Sequence, residues 1–104
     1  MIDGKFVFGP GKADLLAAIH ETGSLAAAAR TLGMSYMRAW KLAKEIQLLF
    51  NTPVLELHRG GRAQGARLTP EGEKALALYK LMESEAIAAT EKSWTKFNAM
   101  VRRA

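Results

Sequence analysis

This 104-residue sequence predicts a mainly α fold with a small β-hairpin. Three observations predict it. Two helical patterns meet at a glycine within residues 23–49. Two short apolar runs then follow a proline and are joined by a glycine-rich loop. The chain finishes on one long apolar stripe that recurs at three- and four-residue steps.

Taken in order, residues 5–8 (Lys-Phe-Val-Phe) form an apolar, aromatic run closed by Gly9, Pro10 and Gly11, which predicts a strand and a turn. Over residues 12–21, Leu15, Leu16 and Ile19 have helical spacing, and Thr22-Gly23 ends the helix. This helix is expected beneath the next two, as the third member of their core. Ser24 suits an N-cap, since its hydroxyl accepts from the unpaired N–H groups of a first turn, and Ala26 to Ala29 let a neighbouring helix approach closely. Gly33 stands where the backbone must leave one helix sharply, and Ser35 caps the next. On that third helix Ala39, Leu42, Ala43, Ile46, Leu49 and Phe50 share one arc, the core side. Met37, Lys41, Lys44 and Leu48 fall opposite, with Tyr36 and Arg38 at the flanks near the N-terminal end.

Asn51-Thr52-Pro53 breaks the helix, because proline lacks the N–H and pushes its predecessor out of the α region. Residues 54–58 read as a strand, residues 60–65 as a loop, and residues 66–68 as a returning strand. Thr69 then serves as N-cap, Pro70 as the first helical residue and Glu71 as a first-turn acid, for a helix expected to reach about Met100. Its stripe of Leu76, Tyr79, Met82, Ala86, Thr90, Trp94, Phe97 and Val101 is longer than a small domain covers. The outer half needs another surface, which a symmetric dimer supplies; the rival is a helix that folds back on its own domain.

A helix pair followed by such a hairpin is the order of a winged helix-turn-helix, with the hairpin as the wing. The expected organisation is a DNA-binding domain over residues 1–69 and a C-terminal linker and dimerisation helix over residues 70–104, within one structural unit.

Charge points to the partner. The chain carries a net charge of +5, and the excess gathers where Arg30, Arg38, Lys41, Lys44, Arg59, Arg62 and Arg67 are opposed only by Glu45 and Glu56. A clustered positive field favours a polyanion, with nucleic acid ahead of a membrane surface because the pattern is broken by turns. There is no cysteine, which excludes disulfides and thiolate metal sites. The N-terminus lacks a signal-peptide pattern and no run is long enough to span a bilayer, so a cytoplasmic location is expected.

On this reading Ser24 and Ser35 anchor phosphates, while Tyr36, Met37, Arg38 and Lys41 face base edges, Arg38 being best suited to guanine because a guanidinium bonds O6 and N7 together. Lys44 and the wing residues Arg59, Arg62, Gln64 and Arg67 add contacts to phosphates or a minor groove. Met37 suits either a thymine methyl or a dimer neighbour, and Trp40 is expected to pack. Tyr79, Met82, Ala86, Thr90, Trp94 and Phe97 are the expected dimerisation residues. His20 and His58 have no paired nucleophile and no metal-ligand spacing, so neither an enzyme nor a cofactor is expected.

The run from Gly33 to Trp40, Gly-Met-Ser-Tyr-Met-Arg-Ala-Trp, and the wing exit from Leu68 to Gly72 resemble the N-terminal DNA-binding domain of ModE, the molybdate-responsive regulator family, and more distantly LysR-type regulators. The resemblance covers nearly the whole chain. It implies a dimeric winged helix whose carboxyl-terminal domains bind molybdate. Since the sequence stops at Ala104, DNA binding is expected of this chain and tight molybdate binding is not. The function expected is a sequence-specific DNA-binding transcriptional regulator; the alternative is a winged-helix protein-interaction module without specific DNA binding.

Overall fold

The computed structural model describes residues 8–58 and 65–101. Helix α1 spans Pro10–Thr22, α2 Leu25–Leu32 and α3 Tyr36–Leu49; strands β1 (Leu55–His58) and β2 (Gly65–Leu68) follow, and α4 runs Pro70–Met100.

The start of α1 corrects the expected turn. Gly9 is extended at the N-cap and Pro10 is the first helical residue. Proline is at home there, because the N–H it lacks has no intrahelical acceptor in any case. Of the strand expected over residues 5–8, residues 5–7 lie outside the described residues. Phe8 is not in a strand: its ring meets Phe50 at 5.8 Å and Tyr79 at 5.2 Å, both edge-on. Aromatic packing, not ladder pairing, accounts for this residue.

The caps in the helix-turn-helix are as the sequence implies. Gly23 is left-handed at φ 74° and donates its N–H to Ile19 O at 2.8 Å. Ser24 Oγ accepts from Ala27 N–H at 2.9 Å, and Ser35 Oγ from Arg38 N–H at 3.1 Å. Gly33, at φ 69°, lets Met34 N–H reach Ala29 O at 3.0 Å while its own N–H reaches Arg30 O at 3.1 Å. These two bonds satisfy carbonyls that a helix end would otherwise leave bare.

The core lies between α1, α2 and α3 and beneath the hairpin. Leu15, Leu16 and Ile19 meet Leu25, Ala28 and Ala29 on one side and Ala39, Ala43 and Ile46 on the other, all buried. Small residues on α2 and α3 bring the helices close, and α1 supplies the bulk that fills the space between. Lys12 Nζ and Glu45 Oε1, 3.2 Å apart, tie α1 to α3 at the edge of this core.

β1 and β2 pair antiparallel from Leu55↔Leu68 to His58↔Gly65. Leu55, Ala66 and Leu68 point to the core, leaving Glu56 and Arg67 on the other face. The hairpin is bonded to the helices at both edges: Ala66 N–H donates to Gly23 O at 3.0 Å, and Gln47 Nε2 to Leu55 O at 3.2 Å. At its exit Thr69 caps α4 by accepting from Gly72 N–H at 3.1 Å while donating to Pro53 O at 2.7 Å.

Only the first turns of α4 are anchored. Gly72 and Leu76 are buried, whereas every described residue from Lys80 onward is exposed. A helix of 31 residues is about 46 Å long at 1.5 Å per residue. It therefore projects from the body, stretching the molecule to 56 × 33 × 25 Å. The fold-back alternative is not what the chain adopts. Among the described residues no helix is long and apolar enough to cross a membrane.

Candidate nucleic-acid interface

Helix α3 is clamped on one side and open on the other. Ala39, Ala43 and Ile46 have no exposed surface, while Met37 is 70% and Tyr36 47% exposed. Arg38, Lys41 and Lys44 are exposed beside them. Among the described residues no carboxylate pairs with these three cations. Each acid in this stretch of sequence has another partner: Glu45 bonds Lys12 and Glu56 bonds Arg67. The outer face of α3 therefore keeps its positive potential, on a helix whose position the core dictates.

Trp40 packs, as expected. It is half-buried against the core, and Lys44 Nζ lies 5.3 Å from its ring centroid. An indole face attracts an ammonium group and limits its wandering, so Trp40 positions Lys44 at the surface. Ser24 and Ser35 spend an oxygen lone pair on their caps, yet each hydroxyl retains its proton as a donor at a helix N-terminus.

The wing is only partly within view. Arg59, Arg62 and Gln64 lie outside the described residues. Arg67, expected to contact phosphates or a minor groove, is exposed, and its Nε donates to Glu56 Oε1 at 2.8 Å. The cause is register, since the ladder places Glu56 directly opposite Arg67. The hydrogen bond from Arg67 and then its charge hold the Glu56 carboxyl below its ordinary range, and Glu56 in return raises Arg67. A carboxyl with a depressed folded pKa stabilises fully above the unfolded value, and that stabilisation is lost as pH falls through the folded one. The expected result is that Arg67→Gln returns the Glu56 titration, followed by NMR, to the usual carboxylate range; an unchanged midpoint would mean that the pair does not persist in solution.

The expected dimerisation residues divide. Met82, Trp94 and Phe97 are 56%, 56% and 58% exposed, and Ala86 and Thr90 are exposed between them. Tyr79 is different: it is half-buried, its ring held by Phe8 of the same chain. Leu78, beside the stripe, is 53% exposed as well.

Residues 12–73, from α1 through the first turn of α4, match the family described as bacterial regulatory helix-turn-helix protein, lysR family. The chain belongs to the LysR family. Among the relatives of this LysR-family chain are proteins named for molybdenum and proteins named ModE. It is 46% identical over 77 residues to the molybdenum-pterin-binding protein MopB of Rhodobacter capsulatus, covering 73% of this chain and 28% of that one. It is 35% identical over 74 residues to the transcriptional regulator ModE of Yersinia pestis, covering 70% and 28%. The chain thus spans little more than a quarter of the length of either relative.

The fold comparisons agree with a LysR-family winged helix. The CbnR DBD in complex with DNA superposes with a TM-score of 0.66 at 22% identity, covering 83% of this chain and 94% of that one. The BenM DBD with catB site 1 DNA gives 0.64 at 21%, covering 92% and 100%. ArgP from Mycobacterium tuberculosis gives 0.55 at 26%, covering 80% and 31%.

Proposed function

We propose that this chain is a sequence-specific DNA-binding transcriptional regulator that acts as a homodimer in the cytoplasm, with α3 as its recognition helix. The observation that carries the reading is the outer face of α3, where Arg38, Lys41 and Lys44 stand exposed and unopposed by any described carboxylate. Support comes from relatives named as transcriptional regulators and from fold neighbours solved with DNA. Residues 1–69 make up the DNA-binding part and residues 70–104 the linker and dimerisation helix. Arg38 reads a base, Tyr36, Met37 and Lys41 line the groove beside it, and Lys44 and the wing residues hold phosphates. Ser24 and Ser35 direct helix N-termini at the backbone. The reading assigns no catalytic step and no cofactor.

Arg38→Ala and Lys44→Ala separate the two kinds of contact. Arg38→Ala is expected to cost roughly 1–3 kcal/mol at one base position and to relax preference there, whereas Lys44→Ala weakens all sequences alike. Binding of a randomised duplex pool, sequenced before and after selection, measures both. If Arg38→Ala lowers affinity uniformly with preference intact, the recognition face is misassigned.

Molybdate is a separate matter. A tetrahedral oxyanion must be desolvated and held by several fixed donors, and the helix N-termini at Ser24 and Ser35 belong to the face proposed for DNA. Calorimetric titration of this chain with molybdate, with sulfate as control, is expected to show no tight binding. Micromolar, molybdate-selective heat would reveal a pocket this reading lacks.

A further inference from the structure

Helix α3 contains a single carboxylate, Glu45, among its cations Arg38, Lys41 and Lys44. On the helical wheel Glu45 lies about 40° from Lys41, one turn earlier, and about 20° from Arg38, two turns earlier. Residues four apart on a helix are neighbours, and opposite charges there form a surface ion pair. On an isolated α3, then, Glu45 would engage Lys41 and set a negative charge beside Arg38.

The fold takes Glu45 elsewhere. Lys12 of α1 brings its Nζ to 3.2 Å from Glu45 Oε1, and the two side chains are only 13% and 26% exposed. Enclosed in this way, the pair is screened by salt less than a surface pair. Lys41 stands exposed and outside every ion pair among the described residues. Neither paired charge suits its own helix. Lys12 lies in the first turn of α1, where the helix dipole favours an acid and no acid is present. Glu45 lies four residues before the end of α3, toward the end that favours a cation, and the last turn holds none. The stability of the separate helices therefore does not account for these two residues; their gain comes from each other across the contact of α1 with α3.

We propose that Lys12 is a positioning residue for DNA binding: it holds Glu45 against α1 and thereby keeps Lys41 available to phosphate. The proposal rests on the reading of α3 as the recognition helix. It adds a residue outside the helix-turn-helix that controls the charge this helix presents. A released Glu45 would act twice, by pairing with Lys41 in competition with a phosphate and by repelling that phosphate itself.

The test is a set of variants of the full chain, titrated by fluorescence anisotropy over a salt series against a labelled duplex recovered from the randomised pool. Lys12→Met keeps the apolar stem and removes the charge. It is expected to weaken binding by at least about twofold per protomer, what a helix-surface pair withholds. The ceiling is one phosphate contact, about eightfold at 0.1 M salt, with the log–log slope shallower by up to roughly 0.9 per protomer. Glu45→Gln alone is expected to leave the slope unchanged, because Lys41 is already available. Lys12→Met combined with Glu45→Gln removes one cation and one anion, keeping the net charge of +5, and is expected to restore affinity and slope. In the Lys12→Met chain, Lys41→Ala is expected to cost less than in the unaltered chain.

Equal weakening by both single substitutions, unrepaired when they are combined, would show a purely structural tie and overturn the proposal. A steeper slope for Glu45→Gln would overturn it too, by showing that Glu45 already competes for Lys41, as would an equal cost of Lys41→Ala in both backgrounds. A steep slope for the unaltered chain that Lys12→Met leaves untouched would end this proposal and spare the DNA-binding reading. Salt-independent binding by the unaltered chain would end both.

Discussion

Raising salt from about 50 to 200 mM is expected to weaken duplex binding on the order of 100,000-fold, because each neutralised phosphate adds roughly −0.9 to the log–log slope. The cations behind this figure are Arg30, Lys41 and Lys44 on the helices, with Arg59 and Arg62 from the wing loop. About five phosphate contacts per protomer, doubled in a dimer, give a slope near −9. Arg67 contributes least, since Glu56 already engages its guanidinium. Anisotropy titrations of a labelled duplex over a salt series measure the slope. Affinity that barely changes across the series would mean that the outer face of α3 does not dock on phosphates, and the DNA-binding reading would fall.

Gly72→Ala is expected to lower the melting midpoint by more than about 10 °C, at the upper end of what overpacking costs. Gly72 is buried in the first turn of α4, against the residue that leads into the hairpin. A Cβ there would overlap the Val54 carbonyl oxygen, with the carbonyl carbon at 2.9 Å and Leu68 Cβ at 3.2 Å. The obstacle is backbone, and Val54 O is committed to Thr69 N–H at 3.1 Å, so it cannot swing aside as a flexible side chain would. A cost of about 3 kcal/mol corresponds to roughly 12–24 °C in a domain of this size. Gly11→Ala is the control. It lies in α1 with nothing within 4 Å of the added carbon, and a helical alanine should leave stability unchanged or slightly higher. If thermal melts show Gly72→Ala as harmless as Gly11→Ala, the close approach of α4 to the hairpin is not as described.

The sequence by itself determined what depends on short chain separations. Ser24, Ser35 and Thr69 act on N–H groups three residues away, and Gly33 on carbonyls within one turn, so residue type and order suffice to place them. The arc of Ala39, Ala43 and Ile46 was legible for the same reason, since helical period alone puts them on one side. The tertiary structure decided what depends on distant chain. Glu56 and Arg67 meet across eleven residues of chain, and a shift of one residue in the ladder would have parted them. Phe8 meets the rings of Phe50 and Tyr79, which come from distant chain, and this makes Phe8 an aromatic brace, a contact that no local spacing foretells. Gly72 reads only as an early residue of a helix until Val54 is seen against it. Local rules choose among the conformations open to a few residues; which elements then touch depends on packing the whole core, where burial of the α1–α3 faces leaves the outer half of α4 uncovered.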